Sequence, residues 1–292
     1  MASPAKRLPD NAPGELYVDQ TCIDCDACRR IAPAVFEQGD GHSFVRAQPR
    51  TPQARRRAFM ALVACPTASI GAASPREAAA ACAAFPETVD ENVSFCGFTA
   101  ESSFGAWSYF IERPEGNVLV DSPRAAGPLL AALEARGGVR TLFLTHRDDV
   151  ADHEAFRKRF GCERVLHQDD VTAGTRGVER KLDGPEAARL ADDLVAIPTP
   201  GHTRGHAVLL YREKYLFSGD HLAWSRKRAR LVAFRDACWY SWTEQIRSME
   251  RLLDHAFEWV LPGHGGWHHA ASPAAMRAEL ERCVAGMRAA TR

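Results

Sequence analysis

Two groups of side chains able to hold metal lie apart along the chain. Cys22, Cys25 and Cys28 recur at three-residue steps, and Cys65 follows much later, directly before Pro66. The second group begins at Thr145-His146-Arg147-Asp148-Asp149-Val150-Ala151-Asp152-His153. It continues through Pro200-Gly201-His202 and Gly219-Asp220 to Pro262-Gly263-His264. Thiolates are soft donors that suit an iron–sulfur cluster, whereas imidazoles with carboxylates suit Zn, Fe or Mn. Three closely stepped cysteines can wrap one cubane, with the distant Cys-Pro supplying its fourth ligand. Zinc is the rival for four cysteines, but it usually takes two separated Cys-x-x-Cys pairs. The third close cysteine and the Cys-Pro therefore point to [4Fe–4S].

Short elements must position these residues. Leu16 to Asp19 reads as a strand leading into the cysteine loop, and a helix from Thr51 to Leu62 delivers the chain to Cys65. Residues 76–92, Ala-rich and carrying Pro86, read as a linker between a small domain at 1–75 and a larger one at 93–292. Beyond it, Ser108–Ile111 and Asn117–Asp121 form a hairpin with its turn at Glu115-Gly116. A helix from Pro128 to Arg136 stops at Gly137, and the strand Thr141–Leu144 runs to His146. A helix starts near Asp152, and strands follow near 164–166, 194–197, 207–211 and 215–218. Ile246, Met249, Leu252, Leu253 and Phe257 mark one face of a helix. Trp259–Leu261 is the strand before His264, and Ser272-Pro273 caps a last helix, Met276 to Met287.

Lys plus Arg equals Asp plus Glu, 37 each, so no global field points to nucleic acid or an anionic membrane. Met1 to Gly14 lacks an apolar stretch of the secretory kind, and no apolar run approaches the roughly 20 residues that cross a bilayer. The expectation is a soluble, cytoplasmic protein that binds neither membrane nor nucleic acid. Of nine cysteines, the scattered Cys82, Cys96, Cys162, Cys238 and Cys283 read as small buried hydrophobes.

The stretch from Cys22 through Cys25, Cys28 and Pro33 to Phe36 resembles the single-cluster bacterial ferredoxins over residues 15–71. Two-cluster relatives carry a cysteine before the loop proline; here Ala32 stands there, so one cluster is implied. Residues 95 to about 270 resemble the metallo-β-lactamase superfamily. The resemblances together imply an α+β chain: a small ferredoxin-like domain followed by a four-layer αβ/βα sandwich. By residue-wise match, His146 and His202 face one metal site, Asp152, His153 and His264 face a second, and Asp220 bridges them. Asp121 and His206 would orient ligands, and Asp152 would also hold the nucleophile. The two ions would lower the pKa of a shared water and polarise the substrate oxygen.

One departure stands out. The family pattern places three residues, a histidine among them, between its first histidine and its Asp-His; here five separate His146 from Asp152, with no histidine. Asp148 or Asp149 replaces the lost ligand and favours Fe or Mn, or only the second site fills, or metal is lost. His221 could supply an imidazole, although neighbours on a strand point to opposite faces. His167, His255, His268 and His269 read as ordinary surface or core residues. Trp224, Trp239, Tyr240 and Trp242 either line a substrate pocket or pack the core, and Arg226, Lys227, Arg228, Arg230 and Arg235 form a basic stretch.

The leading expectation is a metal-dependent hydrolase of a thioester, lactone or similar small-molecule ester. It would hold one or two divalent ions, Zn first with Fe or Mn as alternatives. Its [4Fe–4S] module would be regulatory, structural or a donor of electrons to a redox partner protein. Two alternatives stay open: an iron-dependent oxidoreductase fed by the cluster, and a non-enzymatic redox-sensing or electron-transfer protein.

Overall fold

A computed structural model describes residues 2–290. They gather into two compact units, one reaching to Arg140 and including Ala151–Gly161, the other made of Thr141–Val150 and the chain from Cys162 onward.

In the first unit, β1 (Tyr17–Val18) pairs antiparallel with β4 (Ile70–Gly71), bracketing the cysteine loop. Between them lie α1 (Ala27–Ile31), the hairpin of β2 (Phe36–Gln38) with β3 (Ser43–Val45), and α2 (Pro52–Ala64). α2 starts where Thr51 Oγ1 accepts the Ala54 N–H and Pro52 fills the first turn, a favourable pairing of cap and imino acid. It buries Ala58, Phe59, Met60, Ala61, Val63 and Ala64, and it ends at Cys65. The segment 76–92 holds most of α3 (Pro75–Cys82) and the strand β5 (Glu87–Asp90). β5 pairs antiparallel with β6 (Val93–Phe95), and the meander continues through β7 (Tyr109–Ile111) and β8 (Val118–Val120). α4 (Gly127–Ala135) stops before Gly137, whose φ of +96° a side chain would resist. α5 (His153–Phe160) follows Asp152, whose side chain makes no cap bond to it.

The second unit contains the parallel strands β9 (Thr141–Phe143), β10 (Glu163–His167) and β11 (Arg180–Leu182). A six-stranded sheet runs β12 (Ala188–Ala191), β13 (Leu194–Pro198), β14 (Ala207–Tyr211), β15 (Tyr215–Gly219), β18 (Trp259–Pro262), β19 (His268–His269). Its pairs are antiparallel except β15 with β18, which are parallel. A parallel pair needs a long crossover. Here the crossover carries the hairpin β16 (Ala223–Ser225) and β17 (Arg230–Val232), then α6 (Trp242–Arg251). α7 (Pro273–Ala289) begins where Ser272 Oγ accepts the Ala275 N–H. Ile197, Val208, Leu216, Met249, Val260 and Leu280 are among the buried core of this unit. The helix expected to carry Ile246 through Phe257 on one face is shorter than that. α6 ends at Arg251 and a tight 3-10 turn covers Leu252–Asp254, which rotates Leu253 to a partly exposed position.

Candidate functional site

The nitrogen and oxygen donors arrive at the ends of strands. His146 lies beyond β9, with Asp148 and Asp149 in the loop that continues it. His202 lies in the loop after β13, Asp220 directly follows β15, and His264 follows β18. Each of the last three comes after a glycine, and each of those glycines has a visible reason: a Cβ on Gly201 would stand 2.4 Å from Gln245 Cβ. A Cβ on Gly219, where φ is +48°, would stand 2.6 Å from Thr145 Oγ1 and 2.7 Å from His206 Nε2. A Cβ on Gly263 would stand 2.8 Å from Asp149 Oδ2 and 2.9 Å from Asp220 Oδ1. The ligands can converge because the backbone beneath them carries no side chain.

Two donor groups result. His146, Asp148 and His202 form one and His146, Asp149 and Asp220 the other, with the ligand atoms of each within 4.8 Å of one another. His202 Nε2 is 3.6 Å from Asp148 Oδ2 and 3.8 Å from Asp220 Oδ2, and His146 Nε2 is 3.9 Å from Asp220 Oδ2. These gaps are too long for hydrogen bonds. Donors that share a tetrahedral ion at about 2.1 Å sit roughly 3.4 Å apart, close to the separations seen. His146 Nε2 and both ring nitrogens of His202 are buried without a hydrogen-bond partner among the described residues, which an ion would explain. His264 Nδ1 lies 2.8 Å from Asp220 Oδ1, joining it to the second group.

Charge fits the same picture. Burial pushes the His146 imidazole down to about 4, so it is neutral and able to ligate at neutral pH. Asp220 is buried, which opposes ionisation. The neighbouring His264, His146 and His202 nevertheless hold its carboxyl well below the usual range. Asp148 is likewise lowered, chiefly by His202. Anionic carboxylates converging on neutral imidazoles form a cation site.

Supporting contacts set the geometry. Thr145 Oγ1 lies 3.0 Å from His146 Nδ1, leaving Nε2 for the cluster of donors. His206 is engaged at both nitrogens: Nδ1 lies 2.9 Å from Thr199 Oγ1, and Nε2 accepts the Asp220 N–H at 3.3 Å. It therefore steadies the backbone of Asp220. His221 is fully buried, stacked 5.4 Å from the His206 ring, and stands outside both donor groups. Asp170, which the sequence did not single out, fastens two ligand loops. It accepts the Arg147 N–H at 3.0 Å, the Thr203 hydroxyl at 2.5 Å and the Gly205 N–H at 2.7 Å. No sequence pattern distinguishes it from its neighbour Asp169.

Asp152 and His153 belong to the other compact unit and to neither donor group. Asp152 is exposed, and its Oδ2 accepts the Ala125 N–H at 2.8 Å; His153 is buried. The four aromatics after Asp220 separate. Trp224 and Trp242 pack against the core, whereas Trp239 and Tyr240 are 63% and 50% exposed. The Trp239 ring lies 6.2 Å from that of His202, and the Trp239 backbone N–H donates to the His202 carbonyl at 2.9 Å. Of the scattered cysteines, Cys96, Cys162 and Cys283 are buried, whereas Cys82 is half-buried and Cys238 gives its thiol to the Gly201 carbonyl.

The sulfur site is of another kind. Cys22, Cys25, Cys28 and Cys65 line one cavity in the first unit, and none is in a disulfide. A zinc ion with Zn–S near 2.3 Å would draw four sulfurs to about 3.8 Å of one another. A [4Fe–4S] cubane instead takes one thiolate per iron, and Cys22, Cys25, Cys28 and Cys65 are the four sulfur donors around this cavity. The Ser43 and Ser69 N–H groups donate to Cys22 and Cys65 sulfur at 3.4 and 3.3 Å, contacts that stabilise added electron density. Burial pushes the Cys25 thiol up to about 11 and Cys28 further still, so a bound metal centre would be needed to hold them as thiolates.

Two family models match the chain. Residues 103–264, more than half of the chain, match the family model of the metallo-β-lactamase superfamily. The chain belongs to that superfamily. Residues 18–72 match the 4Fe-4S single cluster domain of ferredoxin I, so a single-cluster ferredoxin domain precedes the metallo-β-lactamase region. Hydroxyacylglutathione hydrolase of Mesorhizobium japonicum is 32% identical over 109 residues, 36% of this chain and 42% of that protein. The protein of the same name from Rhizobium etli is 35% identical over 108 residues, covering 35% and 41%. The chain thus spans about two-fifths of the length of the curated relatives it matches. Among solved structures, that of VMB-1 aligns with a TM-score of 0.52 at 16% identity, over 70% of this chain and 97% of the other. DIM-1 metallo-beta-lactamase aligns with 0.51 at 16%, over 67% and 96%. These likenesses show the metallo-β-lactamase fold, in keeping with the expected α+β architecture.

Proposed function

We propose that this metallo-β-lactamase protein is a metal-dependent hydrolase acting on a thioester or a similar small-molecule ester, with zinc as its working metal. The observation that carries this reading is the pair of donor groups sharing His146, with His146 Nε2 and the His202 ring nitrogens left without a hydrogen-bond partner among the described residues. The two relatives described above, both named hydroxyacylglutathione hydrolase, support the substrate class. When bound, the metal would supply a Lewis acid and a water of lowered pKa. The protein's part is to hold His146, Asp148 and His202 around one ion and Asp149 and Asp220 around its neighbour, with His264 beside Asp220. Trp239 and Tyr240, exposed next to His202, offer a flat apolar rim for the acyl portion of the substrate. The ferredoxin domain serves this hydrolase as a regulatory or structural module.

One observation favours a second reading. Asp148 stands in the donor group where the family pattern has an imidazole, and carboxylates favour harder iron or manganese. An iron-dependent oxidoreductase fed by the cluster would follow. Anaerobic purification, metal and sulfide analysis, and EPR before and after dithionite separate the two. About four irons, one reduced-cluster signal and added zinc are expected. S-acylglutathione hydrolysis should vanish on chelation and return with zinc. Iron beyond one cluster with a second signal, and no hydrolysis, would replace the hydrolase by the oxidoreductase.

A further inference from the structure

The ferredoxin match ends at residue 72 and the residues lining the cavity lie within it, yet a later segment packs against one of its cysteines. We propose that residues 97–107, outside the ferredoxin match, form a covering wall of the cluster site. Gly105 is the residue that lets this wall reach Cys25. Gly105 is buried with φ +81°, and a Cβ there would stand 2.8 Å from both Cβ and Sγ of Cys25 and 3.4 Å from Cγ of Pro66. Any other residue would push the segment off a cluster ligand and would also strain the backbone.

The same segment is fastened at two further places. Trp107, 3% exposed, lies under the guanidinium of Arg30 at 4.4 Å, and Arg30 is two residues beyond Cys28 on α1. Thr99 Oγ1 donates to the Ala64 carbonyl at 2.6 Å, and Arg124, whose own N–H bonds the Phe98 carbonyl, donates Nη2 to the Val63 carbonyl at 3.1 Å. Those carbonyls are the last of α2, where intrahelical partners run out, and the next residue is the ligand Cys65. Cys25 therefore meets a residue from beyond the ferredoxin match directly, and Cys28 and Cys65 do so through Arg30, Val63 and Ala64 beside them in sequence. The cluster is a built-in fixture of the first unit, not a carrier on a loose tether.

The electrostatic consequence is definite. A cluster held by four thiolates is anionic and becomes more so on reduction, so excluding water from its sulfurs makes reduction harder. Displacing the wall should raise the midpoint potential and expose the cluster to oxygen. The test uses full-length Gly105→Ala, reconstituted anaerobically, with Thr99→Val as a milder variant that keeps the packing and removes the hydroxyl. Dithionite titration followed by EPR should show a higher potential in Gly105→Ala and a smaller shift of the same sign in Thr99→Val. Bleaching in air should be several-fold faster than in the parent. If Gly105→Ala assembles no cluster, the sign of the Thr99→Val shift decides. A parental potential and bleaching rate in every variant that assembles a cluster overturns the proposal.

Discussion

The sulfur site and the imidazole–carboxylate site differ in how they are made and in what they must be filled with. Three of the four thiols come from one short loop and α1, within seven residues of sequence, and the fourth caps α2. The nitrogen and oxygen donors come from the ends of β9, β13, β15 and β18. The sulfurs line one cavity, whereas the other donors form two triplets, each with its ligand atoms within 4.8 Å of one another. Donor type, soft thiolates against imidazoles and carboxylates, thus separates the cluster site from the other. The difference also sets what each site depends on. Strand ends are placed by a hydrophobic core, while a short cysteine loop has little core and leans on its cluster and on neighbouring segments.

If the sites are separate in this sense, losing one should spare the other. His202→Ala removes a donor from the first group and leaves Asp220 with fewer partners. Metal at that site should be lost and hydrolysis should fall more than about 100-fold, since even removal of an outer partner costs 10–100-fold. The reduced-cluster EPR signal should persist. Cys28→Ala should abolish that signal while zinc stays. Loss of both centres in both variants would mean that one site builds the other.

A smaller effect is expected at Asp170. Asp170→Asn keeps the shape but weakens the contacts to Arg147, Thr203 and Gly205 that hold the loops of His146 and His202. Zinc affinity, measured by chelator competition, should drop about tenfold. Cluster content should not change. An unaltered affinity would assign Asp170 to folding alone.

The smallest effect concerns pH, and the two sites should respond with opposite sign once emptied. Burial holds His146 at about 4 and His221 at about 3, below the unfolded value near 6.5. Their contribution is therefore present above that value and is lost as pH falls toward about 4. Cys25 is held up at about 11, so its contribution is present below the ordinary thiol value near 8.5 and is lost as pH rises toward about 11. Each group changes stability by about 1 kcal/mol per pH unit inside its window. Urea unfolding of metal-free, cluster-free protein at about pH 5.5, 7.5 and 9.5 should give a maximum in the middle. A monotonic trend would show that one of the two sites is not buried as described.

What the sequence made legible follows the same division. The cysteine loop is contiguous, and its single cluster could be read directly from Cys22, Cys25, Cys28 and Cys65. The strands before His146, Asp220 and His264 stood out as short apolar runs ending in those ligands. The loop from His146 to Asp152 did not yield, because its two extra residues leave the register of every following side chain open. Spacing alone could not show that Asp148 and Asp149 would fall into different donor groups. Nor could it separate Trp239 and Tyr240 from Trp224 and Trp242, since exposure depends on contacts from distant strands and helices. Asp170 was invisible because its role lies in three bonds to residues up to 35 positions away.

The parallel pairing of β15 with β18 has one more consequence. Tyr215 faces Trp259, Leu216 faces Val260 and Phe217 faces Leu261, until an irregularity brings Gly219 opposite Pro262. Asp220 and His264 leave the sheet just past that point. The ladder is in effect a ruler, and its last graduation is offset so that a carboxylate and an imidazole meet. A residue inserted into either strand would move that graduation and turn the following side chain to the other face. The metal site can therefore tolerate change in its aromatic rim far more readily than change in the count of residues beneath it.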